Sequence, residues 1–233
     1  MRAILTWLHL VAISLMATPE ARAEPRKYEV GRERGDIAIA VKVPYSLGTH
    51  TQTVAAVSGE LRVDRETLAV ARGWLVVPLT SIESDSAKRD CHMREALGLD
   101  YAHSRFPKEH VCDGDNRLPA SGPDSVAFPE VRLDVKEGRA LDDPRRFADG
   151  EEVRATVEGS WTIHGITRPA RLEVRLSKDP RAPEGIRVRG RHAFSLRDFG
   201  VVVKAAKVLF VTISVQDEVS ASLDLLIKPV AAP

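Results

Sequence analysis

The stretch "VEGSWTIHGITRPARLEVRL", residues 157–176, carries apolar side chains at every second position on both sides of a break. Val157, Gly159, Trp161 and Ile163 share one parity before it, and Leu172, Val174 and Leu176 share one after it. Glu158, Ser160, Thr162, Arg171, Glu173 and Arg175 fill the other parity. Successive side chains of a strand point to opposite faces, so the pattern predicts two half-buried strands returning on each other, with "HGITRP" as the turn. His164 shares the parity of Glu158, Ser160 and Thr162 at the tip of that turn, closed by Gly165 and Pro169, and is expected to be solvated.

The same alternation runs outward through most of the chain. Ile37, Ile39, Val41 and Val43 form one stripe, Ala55, Val57, Gly59, Leu61 and Val63 another, and Leu75, Val77 and Leu79 a third. Val131, Leu133 and Val135 follow a kink at Pro129, and Val153 and Ala155 lead into the quoted hairpin. Ile186, Val188, His192, Phe194 and Leu196 come next. A long final segment gives Leu209, Val211, Ile213 and Val215 and, past a polar Asp217, Val219, Ala221, Leu223 and Leu225. About eight antiparallel strands with one apolar and one wet face must close on themselves or find a second layer, so the chain is all-β, a barrel or a sandwich.

The main interruption is "SDSAKRDCHMREALG", residues 84–98, which has the marks of a short helix. Ser84 or Ser86 can cap its start, Met93, Ala96 and Leu97 fall at helical spacing, Asp90 and Arg94 stand four apart, and Gly98 can end it. Such a helix is expected to cover one end of a barrel. Residues 100–125, rich in Pro, Gly, Asp and Ser, form a long loop after it.

Residues 1–23 read as a cleaved secretory signal: Arg2, an apolar run from Ala3 to Ala17, a break at Pro19, and "ARA" ending at Ala23. The run is about 15 residues against the roughly 20 that cross a bilayer, so no membrane span is expected after cleavage. Losing Arg2, Arg22 and Glu20 leaves 32 basic and 32 acidic side chains of the original 34 and 33 in the domain expected over residues 24–233. Intermixed, balanced charge argues against a nucleic-acid partner, which requires a clustered positive excess. Cys91 and Cys112, an even pair in an exported chain, are expected to form a disulfide that ties the long loop to the helix.

Strand parity also sorts the candidates for chemistry. "HAFSLRD" holds His192, Ser195 and Asp198, but His192 and Ser195 are three apart on a strand and face opposite ways, so no hydrolytic triad is expected. His50, His92, His103 and His110 lie in loops and the helix without an i, i+4 or His-x-Glu grouping, so no metal site is read. His192 faces inward with Ile186, Val188, Phe194 and Leu196, where it either meets a structural partner or offers a polar contact to a ligand. The inward stripes are mostly Val, Leu, Ala and Gly, and aromatics make up 5% of the chain. An eight-stranded barrel with small linings can admit one ligand. Leu61, Val77, Val131, Val157, Trp161, Ile163, Leu172, Val174, His192, Phe194, Val211, Ile213 and Val215 are the candidate ligand-binding residues.

Five blocks, "KRDCHMR" at 88–94, "FPEVRL" at 128–133, "VEGSWTIHGITRPARLEV" at 157–174, "FSLRDFGV" at 194–201 and "VTISVQDEVSA" at 211–221, together resemble the YceI family in order and spacing. The resemblance implies an eight-stranded antiparallel lipocalin-like barrel with one short capping helix, exported to the periplasm or secreted. It also implies binding, storage or transport of an isoprenoid, such as an isoprenoid quinone or polyprenyl lipid, or of a fatty-acyl chain, without catalysis or a cofactor, and it leaves room for a homodimer. Residues 95–127 form a longer connection than the family's usual one and carry Cys112. Two rival readings are a solid-core envelope stress or interaction protein and a hydrolase acting on a hydrophobic substrate.

Overall fold

The computed structural model describes residues 24–114, 116–208 and 211–231, with the side chains of residues 206–208 and 211 outside that description. The segment read as a secretory signal and Leu209 of the last stripe therefore lie outside the described residues.

The first three staves of the wall are each broken in two. Residues 31–36 separate β1 (Arg26–Val30) from β2 (Ile37–Tyr45), and residues 55–57 separate β3 (Gly48–Val54) from β4 (Ser58–Val63). A 3-10 turn, Leu79–Ser81, separates β5 (Val70–Pro78) from β6 (Ile82–Glu83). After α1 (Ala87–Gly98) come β7 (Glu130–Ala140), α2 (Pro144–Ala148), β8 (Val153–Ile163), β9 (Ile166–Asp179) and β10 (Ala182–Ser195). A separate hairpin of β11 (Ala206–Val208) and β12 (Val211–Ile213) precedes β13 (Glu218–Pro229).

The ladder runs β1, β4, β5, β7, β8, β9, β10, β13 and returns to β1, antiparallel throughout, which closes an eight-stranded barrel. One edge of β13 carries β1 and β2 end to end, with Val30 opposite Ile227 and Ile37 opposite Leu225. The intervening loop is pinched out at Leu226, whose N–H donates to the Asp36 carbonyl and whose carbonyl accepts from Gly31. Where the ladder closes, no strand edge is left free, and the apolar parity of most staves then faces one interior.

The last stripe is not one strand. Val211 and Ile213 belong to the β11–β12 hairpin, and the barrel strand begins only at Glu218, past the break at Asp217. The quoted hairpin also turns more tightly than its composition suggested. Ile163 pairs with Ile166, so His164 and Gly165 alone make the turn, and Thr167 and Pro169 already belong to β9. Their φ values of 51° and 71° suit the primed two-residue turns whose twist matches the flanking strands. A Cβ at Gly165 would stand 2.6 Å from Phe128, so close packing adds to the conformational demand for glycine.

α1 begins at the Ser86 cap, whose hydroxyl accepts from the Arg89 N–H at 3.4 Å. The expected Asp90–Arg94 pair does not form. Asp90 accepts instead from the Ser84 N–H at 2.9 Å and hydroxyl at 2.6 Å, which fastens the chain just ahead of the helix. β6 pairs with β3 through only Thr53–Glu83 and Val54–Ile82, and among the described residues it has no ladder with β7. The helix lies at this open seam, where the Gly98 carbonyl accepts from Ala127 and Phe128. The expected capping helix is thus a plug in the wall near one end of the barrel, and the five-residue α2 is an addition the alternation did not signal.

Candidate functional site

Two halves of the interior differ. In one, Leu61, Leu75, Leu133, Leu172, Leu176, Ile186, Leu225 and Ile227 interdigitate around a void of about 70 Å³. In the other, Ile39, Val41, Val43, Val77, Val131, Trp161, Ile163, Phe194, Val219 and Ala221 line a cavity of about 600 Å³, with α1 contributing Met93, Ala96 and Leu97. The strands place residues in each half by position along the stave: β7 gives Leu133 and Val135 to the first and Val131 to the second. Similarly, β10 gives Ile186 and Val188 to the first and His192 and Phe194 to the second. Leu223 borders both.

The candidate residues divide accordingly. Val77, Val131, Trp161, Ile163, His192, Phe194, Ile213 and Val215 line the large cavity. Leu61, Val157, Leu172 and Val174 surround the small void instead. Parity assigns a side chain to the inside of the barrel but not to a depth along its axis, which is why the sequence grouped them together. The side chain of Val211 lies outside the described residues.

The filled end is locked by charge as well as packing. Arg187 is 8% exposed and donates through Nε to Asp179 at 2.9 Å and through Nη1 to Asp224 at 2.8 Å, while both Nη groups reach the Gly35 carbonyl. Asp36 accepts from Lys228 at 2.9 Å beside them. Arg181 and Arg187 hold the Asp179 carboxyl well below its ordinary range, outweighing desolvation.

On the hollow side, Trp161, His192 and Phe194 line up along one wall, with ring centroids 6.1 Å apart in each step. Burial lowers the His192 pKa, so the ring is neutral at pH 7. Among the described residues the buried Trp161 Nε1 has no hydrogen-bond partner, and Trp161 and His192 meet through their ring faces. An unpaired donor on an apolar wall is unusual, because a buried donor without a partner costs about 1–3 kcal/mol. Tyr45, stacked on His50 at 4.1 Å, joins Gln52, Ser86, Lys88, Arg89, His92 and Lys204 as the more polar part of the lining. His50 and Gln52 sit on β3, whose "GTHTQTV" is too polar to show an apolar stripe; its run of Thr and Val was the signal for a strand.

The inserted loop overturns the expectation for His164, which is 9% exposed rather than solvated. Its Nε2 donates to the Leu99 carbonyl at 2.8 Å, and its ring packs on Tyr101 and Phe128. Parity put it on the polar side of its strand, but Leu99, Tyr101 and Phe128 pack over it. Burial pushes the Tyr101 hydroxyl up to about 12; it donates to Ala96 and accepts from the Val202 N–H at 3.1 Å.

The loop is held to α1 by the Cys91–Cys112 disulfide and by Glu95, whose side chain is 0% exposed. Glu95 Oε1 accepts from the N–H groups of Val111 at 2.7 Å and Cys112 at 3.2 Å. Its Oε2 meets His92 Nδ1 at 2.9 Å and His110 Nδ1 at 3.1 Å. Desolvation works to raise this carboxyl, but the contacts from His92, Val111, His110 and Cys112 outweigh it and hold it at about 2. Histidines that are scattered in sequence are therefore brought together around a glutamate that sequence reasoning missed, since all its partners but His92 arrive from fifteen or more residues downstream.

The model of the YceI-like domain matches residues 28–226, nearly the whole barrel. The chain belongs to the YceI-like family. A YceI-like architecture is also seen in a polyisoprenoid binding domain from Saccharophagus degradans implicated in plant cell wall breakdown. That structure is 11% identical, with a TM-score of 0.56, and the match covers 88% of this chain and 99% of that one. BcnA of Burkholderia cenocepacia is similar at 11% identity and a TM-score of 0.55, covering 84% of this chain and 99% of that one. At such identities the likeness shows the fold. No curated protein sequence matches the chain. Among the described residues, no helix is long and apolar enough to cross a membrane.

Proposed function

We propose that this YceI-like barrel binds a long-chain amphiphile, with an isoprenoid lipid such as a quinone or polyprenyl lipid as the preferred class, by burying its tail in the hollow half. The observation that carries the reading is the cavity of about 600 Å³ with nearly continuous apolar walls. Its size is that of a small-molecule site, and each buried methylene contributes about 0.8 kcal/mol, so a long chain can be held without a dedicated polar clamp. Val77, Val131, Ile163, Phe194, Ile213 and Val215 contact the tail, and Trp161 Nε1 and His192 supply the polar contacts to a headgroup or chain oxygen.

The binding protein described from Saccharophagus degradans supports the ligand class, and the disulfide together with the sequence ending at Ala23 supports storage or transport in the periplasm or outside the cell. The reading is non-catalytic. His192 and Ser195 leave β10 on opposite faces and do not form a nucleophile–base pair. The large cavity favours ligand binding over a solid-core role.

Organic extraction of the protein purified from its native envelope, followed by mass spectrometry, is expected to release a prenyl or acyl lipid. A reproducibly empty barrel that also takes up no added prenyl or acyl lipid would refute the proposal.

A further inference from the structure

α1 sets His92 and Glu95 three residues apart on one face, and the inserted loop brings His110 to the same carboxylate oxygen. One potential ligand atom from each of His92, Glu95 and His110 lies within 4.8 Å of the other two. Three features make this more than a chance cluster. The carboxylate is completely buried, and its other oxygen is anchored by two backbone N–H groups, so it cannot swing away. The Cys91–Cys112 disulfide links the two walls of the cluster next to His92 and two residues beyond His110, so the arrangement is covalently set beforehand. The imidazoles remain reachable, with side chains 34% and 50% exposed.

Both rings aim their Nδ1 atoms at a single oxygen, which they can satisfy together only if each carries its proton on that nitrogen. A cation removes this demand, because each ring can ligate through Nδ1 and keep its proton on Nε2. Metal–nitrogen and metal–oxygen bonds of about 2.0–2.2 Å in a tetrahedral site imply ligand atoms about 3.3–3.6 Å apart. Glu95 Oε2 stands 2.9 and 3.1 Å from the two nitrogens, so small movements of the exposed rings make room. Two imidazoles and one carboxylate suit a borderline divalent ion; calcium and magnesium call for more oxygen. Both cysteines are consumed in the disulfide and offer no competing thiolate.

We propose that His92, Glu95 and His110 bind one zinc-type divalent cation at the junction of α1 and the inserted loop, with a coordination position left for water or a polar ligand group. The ion fastens the insertion to the helix alongside the disulfide. Because His92 also lines the large cavity, the site stands beside the lipid chamber. It does not depend on the lipid reading.

The full chain, made without a histidine tag and with its disulfide intact, is titrated with zinc chloride by calorimetry. One equivalent is expected to bind with micromolar or tighter affinity and to raise the thermal midpoint. His110→Ala and His92→Ala are each expected to weaken binding on the order of 10- to 100-fold or more, with circular dichroism unchanged. His103→Ala, at a ring paired with Asp100 outside the cluster, is expected to leave binding unchanged. Absence of saturable binding, or tight binding that persists in His110→Ala, would overturn the proposal.

Discussion

The two halves of the barrel share eight staves and one strand alternation, yet one is filled and the other hollow. In the filled half the ladder closes completely, β1 against both β4 and β13, and large Leu and Ile side chains meet across it. In the hollow half the ladder fails between β6 and β7, and a helix and a loop stand in for a strand pair. Many of the inward residues there are Val and Ala rather than Leu. Closure plus bulk makes a core; an open seam plus small side chains makes a chamber. Tight packing and open volume are thereby assigned to opposite ends of one wall.

The comparison breaks most sharply at the ion pairs of the filled end. Asp179→Asn leaves the buried Arg187 without its nearest carboxylate and is expected to cost about 3–5 kcal/mol in urea denaturation, with ligand uptake by the surviving folded protein unchanged. Leu172→Ala in the filled half is expected to lose about 2–5 kcal/mol. Val131→Ala, facing the cavity, should cost less and weaken lipid retention; equal stability losses would erase the distinction between core and chamber.

On the hollow side, replacing Cys91 and Cys112 with Ser opens a 21-residue separation and is expected to cost about 3 kcal/mol. Native-state hydrogen exchange should show the loss concentrated in α1 and residues 100–125; uniform loss over the barrel would count against an independently stapled cap.

The last contrast is in pH, where the His192 slope is the smallest effect expected. Glu95 titrates near 2 when folded against an ordinary 4.5, so its contribution is complete above pH 4.5 and falls away as pH drops toward 2. Glu95→Gln should flatten that part of the stability curve. His192 has a lowered folded pKa, so its contribution is present above 6.5 and is lost as pH falls below it. His192→Phe should remove this shallow slope, measured as the urea midpoint between pH 7 and 5; a slope unchanged by the substitution would place the titration elsewhere.

Strands were legible where one face is apolar and the other wet, as in the Val153 to Ile163 run, because period two has no other common cause. The breaks at residues 31–36, at 55–57 and at Asp217 were not, since a local alternation does not reveal which partner strand it meets. β3 stayed hidden because Thr and Gln occupy both of its faces. At the candidate site, parity sent His192 and Trp161 inward, where they are found. It missed the contribution of α1, whose place in the seam depends on contacts with residues 127–128 rather than on a marked apolar face of its own.

By itself, then, the sequence determined which side of most strands faces inward, that the strands must close on themselves or find a second layer, and that Cys91 and Cys112 belong together, because alternation and cysteine count are properties of short segments. Only the tertiary structure decided where the barrel is filled and where it is hollow, why His164 is buried, and how His92, Glu95 and His110 meet. Depth along a closed wall, cover by a distant loop and convergence across the chain arise from packing between segments, which no local pattern records.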